Sequence, residues 1–488
     1  MTRLSEATLD ALAPSVRRPA YDRRALERGV VHLGLGAFHR AHQAVAYDDL
    51  AARGDLRWGV TGVSLRSPDV AERLNPQDGL YGVAVRDDDR VEDRIIGVLG
   101  QTLVAPRGVE AVVGVLSAPA TRLVTLTITE KGYLLDPAGG GLMLDHPDIA
   151  ADLAAPRAPR TAIGLIVAAL SARRAAGLPA FTAMSCDNLT DNGERLARAV
   201  VGYARRLDPA LAEWIERRVA FPATMVDRIV PSTEPEDIAA AQARTGLSDQ
   251  GLVKTEAFTQ WVVEDRFSGE APDLAAVGVQ LTSDVRPWET AKLRLLNGAH
   301  STMAYLGAQA GLTYVHEVIA TPGGRAVVEG LWDEVVPTVP PQAGLDLPAY
   351  RRQLLARFGN PALQHRLVQI AMDGSQKLPQ RLFAPMLSRL KDGRAVDHLA
   401  LATAVWIRWL GGRDDAGRPT PLDDPQADRL RRAVVGLAPR DQVHAVAALE
   451  DIVPPALGQR PDFIDAVAGA LEVVEARSAH GLLSKNEV

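Results

Sequence analysis

Short β-branched apolar runs alternate with helix-period segments through the first part of the chain, and that alternation predicts a mostly parallel sheet covered by helices. The run Val30 to Leu35 predicts a buried first strand, leading through Gly34-Leu35-Gly36 into a helix from Phe38 to Ala52 that stops at Gly54. Further strands are expected at Gly59 to Ser64, Leu123 to Thr129, Phe181 to Ser185 and Thr224 to Val230, with helices at Val109 to Leu116, Ala162 to Ala176 and Gly193 to Arg206. Leu80 to Val104 reads as extended, an insertion that adds to the sheet. After Trp288 strands give way to helices punctuated by Thr321-Pro322-Gly323-Gly324 and Pro340-Pro341. Leu399 to Leu410, apolar on nearly every face apart from Arg408, predicts a helix at the centre of this second part. The expected fold is α/β: a doubly wound sheet over residues 1–287, then a mostly α-helical domain over 288–488.

Composition narrows the class. A chain of 488 residues with 47% hydrophobic content is too long for one core and too apolar for disorder. The net charge of −6, with basic residues scattered among acidic ones, gives no positive field, so nucleic acid is not an expected partner. Met1 to Arg18 has no apolar stretch of the secretory kind, and no later segment is long and apolar enough to span a membrane. The single cysteine, Cys186, excludes an intrachain disulfide and a four-cysteine zinc lobe and suits a reducing, cytoplasmic setting. Arginine supplies nearly all the positive charge; the only lysines are Lys131, Lys254, Lys292, Lys377, Lys391 and Lys485. Lysine differs from arginine in that burial can bring its pKa toward neutrality, so a lysine among polar neighbours is a candidate proton carrier.

A strand leading into Gly34-x-Gly36 and then a helix suits pyrophosphate, because missing side chains let backbone N–H groups approach the charge. Gly34, Gly36, Ala37 and Phe38 are the candidate cofactor contacts. His39 stands where the usual fingerprint has a third glycine, which predicts looser packing of helix on strand. No acid ends the second strand, where Ser64-Leu65-Arg66 stands; Arg66 would tolerate a ribose 2′-phosphate, so NAD(H) is expected with NADP(H) left open.

The segment Glu289 to His300 (ETAKLRLLNGAH) gathers more chemistry than any other. On a helix turning about 100° per residue, Glu289, Lys292, Asn297 and His300 fall within an arc of roughly 140°, interleaved with Leu293 and Leu296. Alcohol oxidation needs a base for the hydroxyl proton and a donor for the oxygen. Lys292 can be the base, Asn297 the donor and His300 a substrate ligand; a solvated face with a Glu289–Lys292 ion pair is the plainer alternative. Gly298 threatens this arrangement, since it can end the helix before His300. A Tyr-x3-Lys pair is absent, and a zinc site of two cysteines and a histidine is impossible with one Cys.

Seven stretches in order resemble the polyol-specific long-chain dehydrogenases, the mannitol dehydrogenase and fructuronate reductase family. They are Val31 to Ala44 (VHLGLGAFHRAHQA), Thr127 to Leu134 (TITEKGYL), Met184 to Glu194 (MSCDNLTDNGE), Phe221 to Ser232 (FPATMVDRIVPS), Trp261 to Ser268 (WVVEDRFS), Lys292 to Ser301 (KLRLLNGAHS) and Gln369 to Leu382 (QIAMDGSQKLPQRL). The resemblance implies an N-terminal Rossmann-type NAD-binding domain, a helical C-terminal substrate domain and no metal. It implies Lys292 as general acid/base, Asn188 and Asn297 holding the reactive oxygen, His300 and Asp227 as further site residues, and Glu130 and Glu289 relaying protons or tuning Lys292. Each has a plainer role open to it: Asn188 as a cap for the helix near Asp191, Asp227 paired with Arg228 or Arg266, Glu130 paired with Lys131.

Mannitol-type members carry an arginine eight residues before the position of Lys377, where this chain has Gln369, and the run Gln369 to Leu382 is more similar to the fructuronate reductase branch. Lys377 and Arg381 can hold a substrate carboxylate, or sit at the surface and serve Asp373. D-Fructuronate and D-mannonate are therefore the expected pair, with D-fructose and D-mannitol as the alternative. A phosphorylated polyol would need a second phosphate cradle, which the sequence does not offer. A non-catalytic sugar or nucleotide sensor on the same fold is disfavoured by Lys292, Asn188, Asn297 and His300 occurring together. A monomer or small homo-oligomer is expected.

Overall fold

The computed structural model describes residues 2–87, 90–136 and 140–484. The chain divides into two compact units, Met1–Arg286 and Pro287–Val488. The first holds the strands β1 (Val30–Leu33), β2 (Val60–Ser64), β3 (Tyr81–Asp87), β4 (Arg90–Ile96), β5 (Leu99–Val104), β6 (Leu123–Leu126), β7 (Thr182–Ser185), β8 (Thr224–Asp227), β9 (Val253–Glu256), β10 (Gln260–Glu264) and β11 (Gln280–Thr282).

Five of these form one parallel sheet in the order β5-β2-β1-β6-β7. Every residue of β1, β2, β6 and β7 is buried, as parallel strands covered on both faces must be. The chain moves outward from β1 through β2 to β5, then returns to β6 and proceeds the other way to β7. Strand order therefore reverses between β1 and β6, the Rossmann-type arrangement whose ligands bind beyond the strand C-termini. Helices Val109–Ser117 and Ala162–Ala175 share a core with this sheet through Val112, Leu116, Ile163, Ile166 and Leu170.

Three local expectations change. Leu80 to Val104 is not a single insertion, because β5 is the edge strand of the main sheet while β3 and β4 pair antiparallel and join β9 in a separate sheet. The strand expected at Thr224 to Val230 stops at Asp227 and pairs with β10, outside the main sheet. The helix expected from Phe38 to Ala52 is broken at His42, whose φ of −124° and ψ of −86° separate Ala37–Ala41 from Gln43–Ala52. The break has a cause, since the His42 ring reaches the Gln260 carbonyl at 3.0 Å and the Gln43 amide at 3.0 Å.

Among the described residues of the second unit, helices are the regular elements, joined by loops and two isolated β-bridges. Gly298–Gln309 is buried at nearly every position and packs on Asp397–Leu410, which packs in turn on Pro461–Leu483. Trp332, Trp406, Trp409, Tyr305 and Phe383 are fully buried and supply the bulk of this core. The helix Asp397–Leu410 begins two residues before the expected Leu399, with Val396 at its N-cap and no side-chain cap of its own. Its free N–H groups are met from a distance: Glu334 accepts from His398 N at 2.8 Å and from Leu399 N at 2.9 Å. Glu334→Ala leaves two buried donors unsatisfied and is expected to lower stability by about 1–3 kcal/mol. A urea titration with an unchanged midpoint would refute the cap.

Candidate active site

The glycine turn lies at the reversal point of the sheet. Gly34 has φ of +90°, and a Cβ there would stand 2.2 Å from the Thr127 carbonyl oxygen, so backbone following β1 passes directly against backbone following β6. Around Gly36, at the N-cap of Ala37–Ala41, the nearest atom to a Cβ would be 3.8 Å away, which leaves room for a ligand. Thr127 donates its hydroxyl to the Gly34 carbonyl at 2.9 Å and meets His32 Nε2 at 2.9 Å, while His32 Nδ1 meets the Thr125 hydroxyl at 2.8 Å. His39, at the third-glycine position, does not leave a gap. Its ring stacks on His32 with centroids 3.5 Å apart, filling the space with an aromatic pair. Arg66 lies exposed two residues beyond β2.

Glu130 and Asn188 follow the paired strands β6 and β7, and Asp227 ends β8 of the separate three-stranded sheet. Leu126 pairs with Ser185, so the chain leaves β6 and β7 at the same, C-terminal end of the strands. Thr129, between β6 and Glu130, holds φ of 64° and ψ of 164°, a region that is essentially glycine's; for a β-branched residue this costs about 1–3 kcal/mol. Asp187 stabilises that conformation, its carboxylate accepting from Ile128 N at 3.0 Å, Thr129 N at 2.9 Å and the Tyr133 hydroxyl at 2.7 Å. Burial pushes the Asp187 carboxyl above its usual range, against the pull of these three donors. Asp187, Tyr133 and Asn192 were not singled out from the sequence, although all three lie in the stretches that carry the resemblance.

The plainer roles weighed for these residues fare differently. Glu130 is exposed and pairs with Arg195 at 3.0 Å rather than with Lys131. The helix after β7 starts at Asn192 with Asp191 at its N-cap, so Asn188 is not the cap residue. Arg228 donates to the Ala41 and Glu256 carbonyls and Arg266 pairs with Glu264, while Asp227 is buried at the end of β8.

In the second unit the lysine segment departs from a regular helix. Arg286–Ala291 is α-helical, Lys292–Asn297 is a π-helix, and α-helix resumes at Gly298. A π turn inserts about one residue, which rotates everything after it by roughly 100° relative to a continuous α-helix. Applied here, it narrows the arc holding Glu289, Lys292, Asn297 and His300 from roughly 140° to about 80°, which tightens the expected face. All four are buried, at 7%, 7%, 8% and 7% exposure. Trp332 supports the turn, its indole N–H donating to the Leu295 carbonyl at 2.9 Å. Gly298 does not end the helix; it has right-handed backbone angles, and a Cβ there would lie 3.3 Å from the Arg381 carbonyl oxygen.

That carbonyl belongs to a second π segment, Pro379–Phe383, where proline has no N–H to donate to the ladder. Arg381 Nη1 donates to Ser301 Oγ at 3.0 Å, which sets the guanidinium beside the residue following His300, and burial pushes its pKa down to about 10. His300 rests against Phe358 at 4.7 Å and meets the edge of His365 at 5.0 Å. Burial, with His365, Arg357 and Arg381 close by, holds His300 well below the ordinary imidazole value, so it is neutral. His365 and Arg357 carried no motif signal. Lys377 is half-buried, donating to the Met372 carbonyl at 2.5 Å with Asp373 at 3.9 Å; burial lowers its pKa. Among the described residues no group of three or more His, Cys, Asp or Glu is arranged to hold a metal ion, and no helix is long and apolar enough to cross a membrane.

With this geometry in hand, relatives fit the same pattern. The family profile described as the mannitol dehydrogenase Rossmann domain matches residues 28–276, and that of the mannitol dehydrogenase C-terminal domain matches residues 284–475. The chain belongs to the mannitol dehydrogenase family and is an oxidoreductase. It is 43% identical over 470 residues to D-mannonate oxidoreductase of Escherichia coli (strain K12), covering 95% of this chain and 96% of that one. It is 37% identical over 478 residues to mannitol 2-dehydrogenase of Phaeosphaeria nodorum, covering 96% and 83%. The solved ternary complex of Pseudomonas fluorescens mannitol 2-dehydrogenase with NAD and D-mannitol superposes with a TM-score of 0.84 at 37% identity, covering 99% of this chain and 98% of that one.

The buried histidines give a pH dependence whose sign follows from burial. His32 is pushed down to about 3, and His39 and His300 well below their ordinary value. Such rings take up protons in the unfolded chain first, so the stability they contribute is complete above about 6.5 and is lost progressively toward about 3. Between pH 7.5 and 5.5 the urea midpoint is expected to fall, with up to about 1.4 kcal/mol per pH unit from each fully buried ring. A flat profile would mean that these rings titrate in the folded protein.

Proposed function

We propose that this chain is an NAD(H)-dependent, metal-independent dehydrogenase that interconverts D-mannonate and D-fructuronate. What supports the reading is the helical segment around the π turn, where the buried Glu289, Lys292, Asn297 and His300 fall on one arc by helix geometry. In the oxidation direction Lys292 accepts the hydroxyl proton, Asn297 and Asn188 donate to the oxygen as charge develops on it, and His300 binds a neighbouring hydroxyl. Glu289 tunes Lys292, Glu130 lies on the proton path, and Asp227 binds substrate. NAD(H), when bound, accepts or supplies the hydride. The turn Gly34 to Phe38 holds its pyrophosphate, and the open space around Gly36 fits that role. Arg66, with no carboxylate at the end of β2, leaves NADP(H) as a second cofactor to test.

The sugar-acid substrate is supported by the cation set of the second unit and by the relative named D-mannonate oxidoreductase. Arg381 is half-buried yet charged at neutral pH, and with Lys377 it can offset the desolvation of a carboxylate. Gln369 in place of an arginine favours the same branch. D-Mannitol and D-fructose are the second candidate pair, favoured by the relatives named mannitol 2-dehydrogenase.

Lys292→Ala is expected to lower kcat by about three to four orders of magnitude while NADH affinity stays within a few-fold, as loss of a group acting only in the reaction should. Stopped-flow turnover near the wild-type rate across pH 6–10 would refute Lys292 as the base. For the substrate, NADH oxidation is measured with D-fructuronate, tagaturonate, D-fructose and xylulose. Fructuronate is expected to give the highest kcat/KM, and Arg381→Met to lose about 10-fold to 100-fold more on fructuronate than on fructose. Equal losses on both would remove Arg381 from carboxylate recognition.

A further inference from the structure

The turns after β6 and β7 and the start of β8 are tied together around one aspartate. Asp187 holds the turn after β6 through its carboxylate, at Ile128 N and Thr129 N, and is itself gripped by the buried Tyr133 hydroxyl. Tyr133 also meets Ser185, the last residue of β7, and burial beside Asp187 keeps its phenol protonated as a donor. The Asp187 main chain is fixed as firmly. Its carbonyl accepts from Leu189 N at 2.9 Å, which makes Asn188 the apex of a three-residue turn, and from Asn192 Nδ2 at 3.0 Å. The Asn192 amide then clamps both backbone groups of Thr224, accepting from its N–H at 3.0 Å and donating to its carbonyl at 2.8 Å, three residues before Asp227. The Thr224 hydroxyl returns to the Ser185 carbonyl at 2.7 Å.

We propose that Asp187 is a positioning residue for the reaction: through its carboxylate and carbonyl together it fixes the direction in which Asn188 leaves β7. The proposal rests on Asn188 acting on the reacting oxygen, as argued above. Asp187 is buried at 9% exposure, whereas Asn188 beside it is exposed, so the anchoring and acting roles fall on adjacent residues. Both Asp187 oxygens accept from backbone N–H groups that have no alternative orientation. In Asp187→Asn, one of those sites becomes an NH2 facing an N–H, and the turn must shift. A displacement of about 1 Å at a group aimed at developing charge is enough for a 100-fold loss.

The test is a double-mutant cycle in the full chain, read as NADH oxidation with D-fructuronate or D-fructose, with NADH binding and near-UV circular dichroism as checks of folding. Asp187→Asn is expected to lower kcat about 100-fold, to change KM and NADH affinity less than about 3-fold, and to leave both limbs of the pH profile in place. Asn188→Ala is expected to be at least as slow, and adding Asp187→Asn to it should cost less than about 3-fold more, because the first change removes what the second displaces. Multiplying losses would overturn the proposal, as would loss of a pH limb, which would make Asp187 an acid or base in its own right. Where Asp187→Asn does not fold, Tyr133→Phe removes one grip on the carboxylate and leaves both backbone donors; it is expected to cost about 5-fold to 10-fold in kcat, again with no further loss on Asn188→Ala. A slow Asn188→Ala beside normal Asp187→Asn and Tyr133→Phe would overturn the proposal alone. Wild-type inactivity with both ketoses, or unchanged turnover in Asn188→Ala, would overturn the functional reading and the proposal with it.

Discussion

Between β1 and β6 the backbone of Gly34 runs so close to the Thr127 carbonyl that no side chain fits, and the first unit is organised around that contact. The strand order reverses there, so the two connections diverge and leave space beyond the strand ends. Keeping that space open requires the segments bordering it to stay where they are without packing into it. Polar braces answer this need: the Thr127 hydroxyl on Gly34, the His32 ring between two threonines, and Asp187 on the turn after β6. Hydrogen bonds with defined directions can hold a backbone beside a vacancy, whereas dispersion contacts would tend to close it.

The second unit meets the same demand with helix geometry. Two π turns, Lys292–Asn297 and Pro379–Phe383, adjoin through Gly298 and the Arg381 carbonyl. A π turn gives up good ladder geometry, and part of that loss is offset where the Trp332 indole takes the Leu295 carbonyl. The return is angular: four polar side chains face one way, and Arg381 reaches Ser301 on the same helix.

Strands β1, β2, β6 and β7 of the main sheet and the principal helices were legible in the sequence, because buried parallel strands and amphipathic helices leave distinct periodicities, whereas β5 was hidden inside a longer extended run. The concentration of polar groups in the lysine segment was legible as well, since a carboxylate, an amine, an amide and an imidazole fall within Glu289 to His300. The π turn was not, because one inserted residue changes the rotation without changing the composition, and its support comes from Trp332, 37 residues beyond Leu295. The break at His42 depends likewise on Gln260, and the small strands β9, β10 and β11 depend on partners far away in sequence. Asp187 escaped notice for another reason: an aspartate before an asparagine carries no periodic signal, and its importance lies in which backbone atoms fold returns to it. His39 illustrates the converse, a departure from the glycine fingerprint that the fold absorbs by ring stacking.

Glu334 also bears on how the second unit comes together. The helix Asp397–Leu410 has no nearby acceptor for its first turn and obtains one from a residue 64 positions before His398. Its nucleation is therefore bound to the docking of Pro322–Val335, because a helix start without an acceptor is hard to keep once water is excluded. Two segments that could have ordered independently become one cooperative block. Amide protons near the start of the buried helix would then exchange only through opening of that whole block, not by fraying from the end.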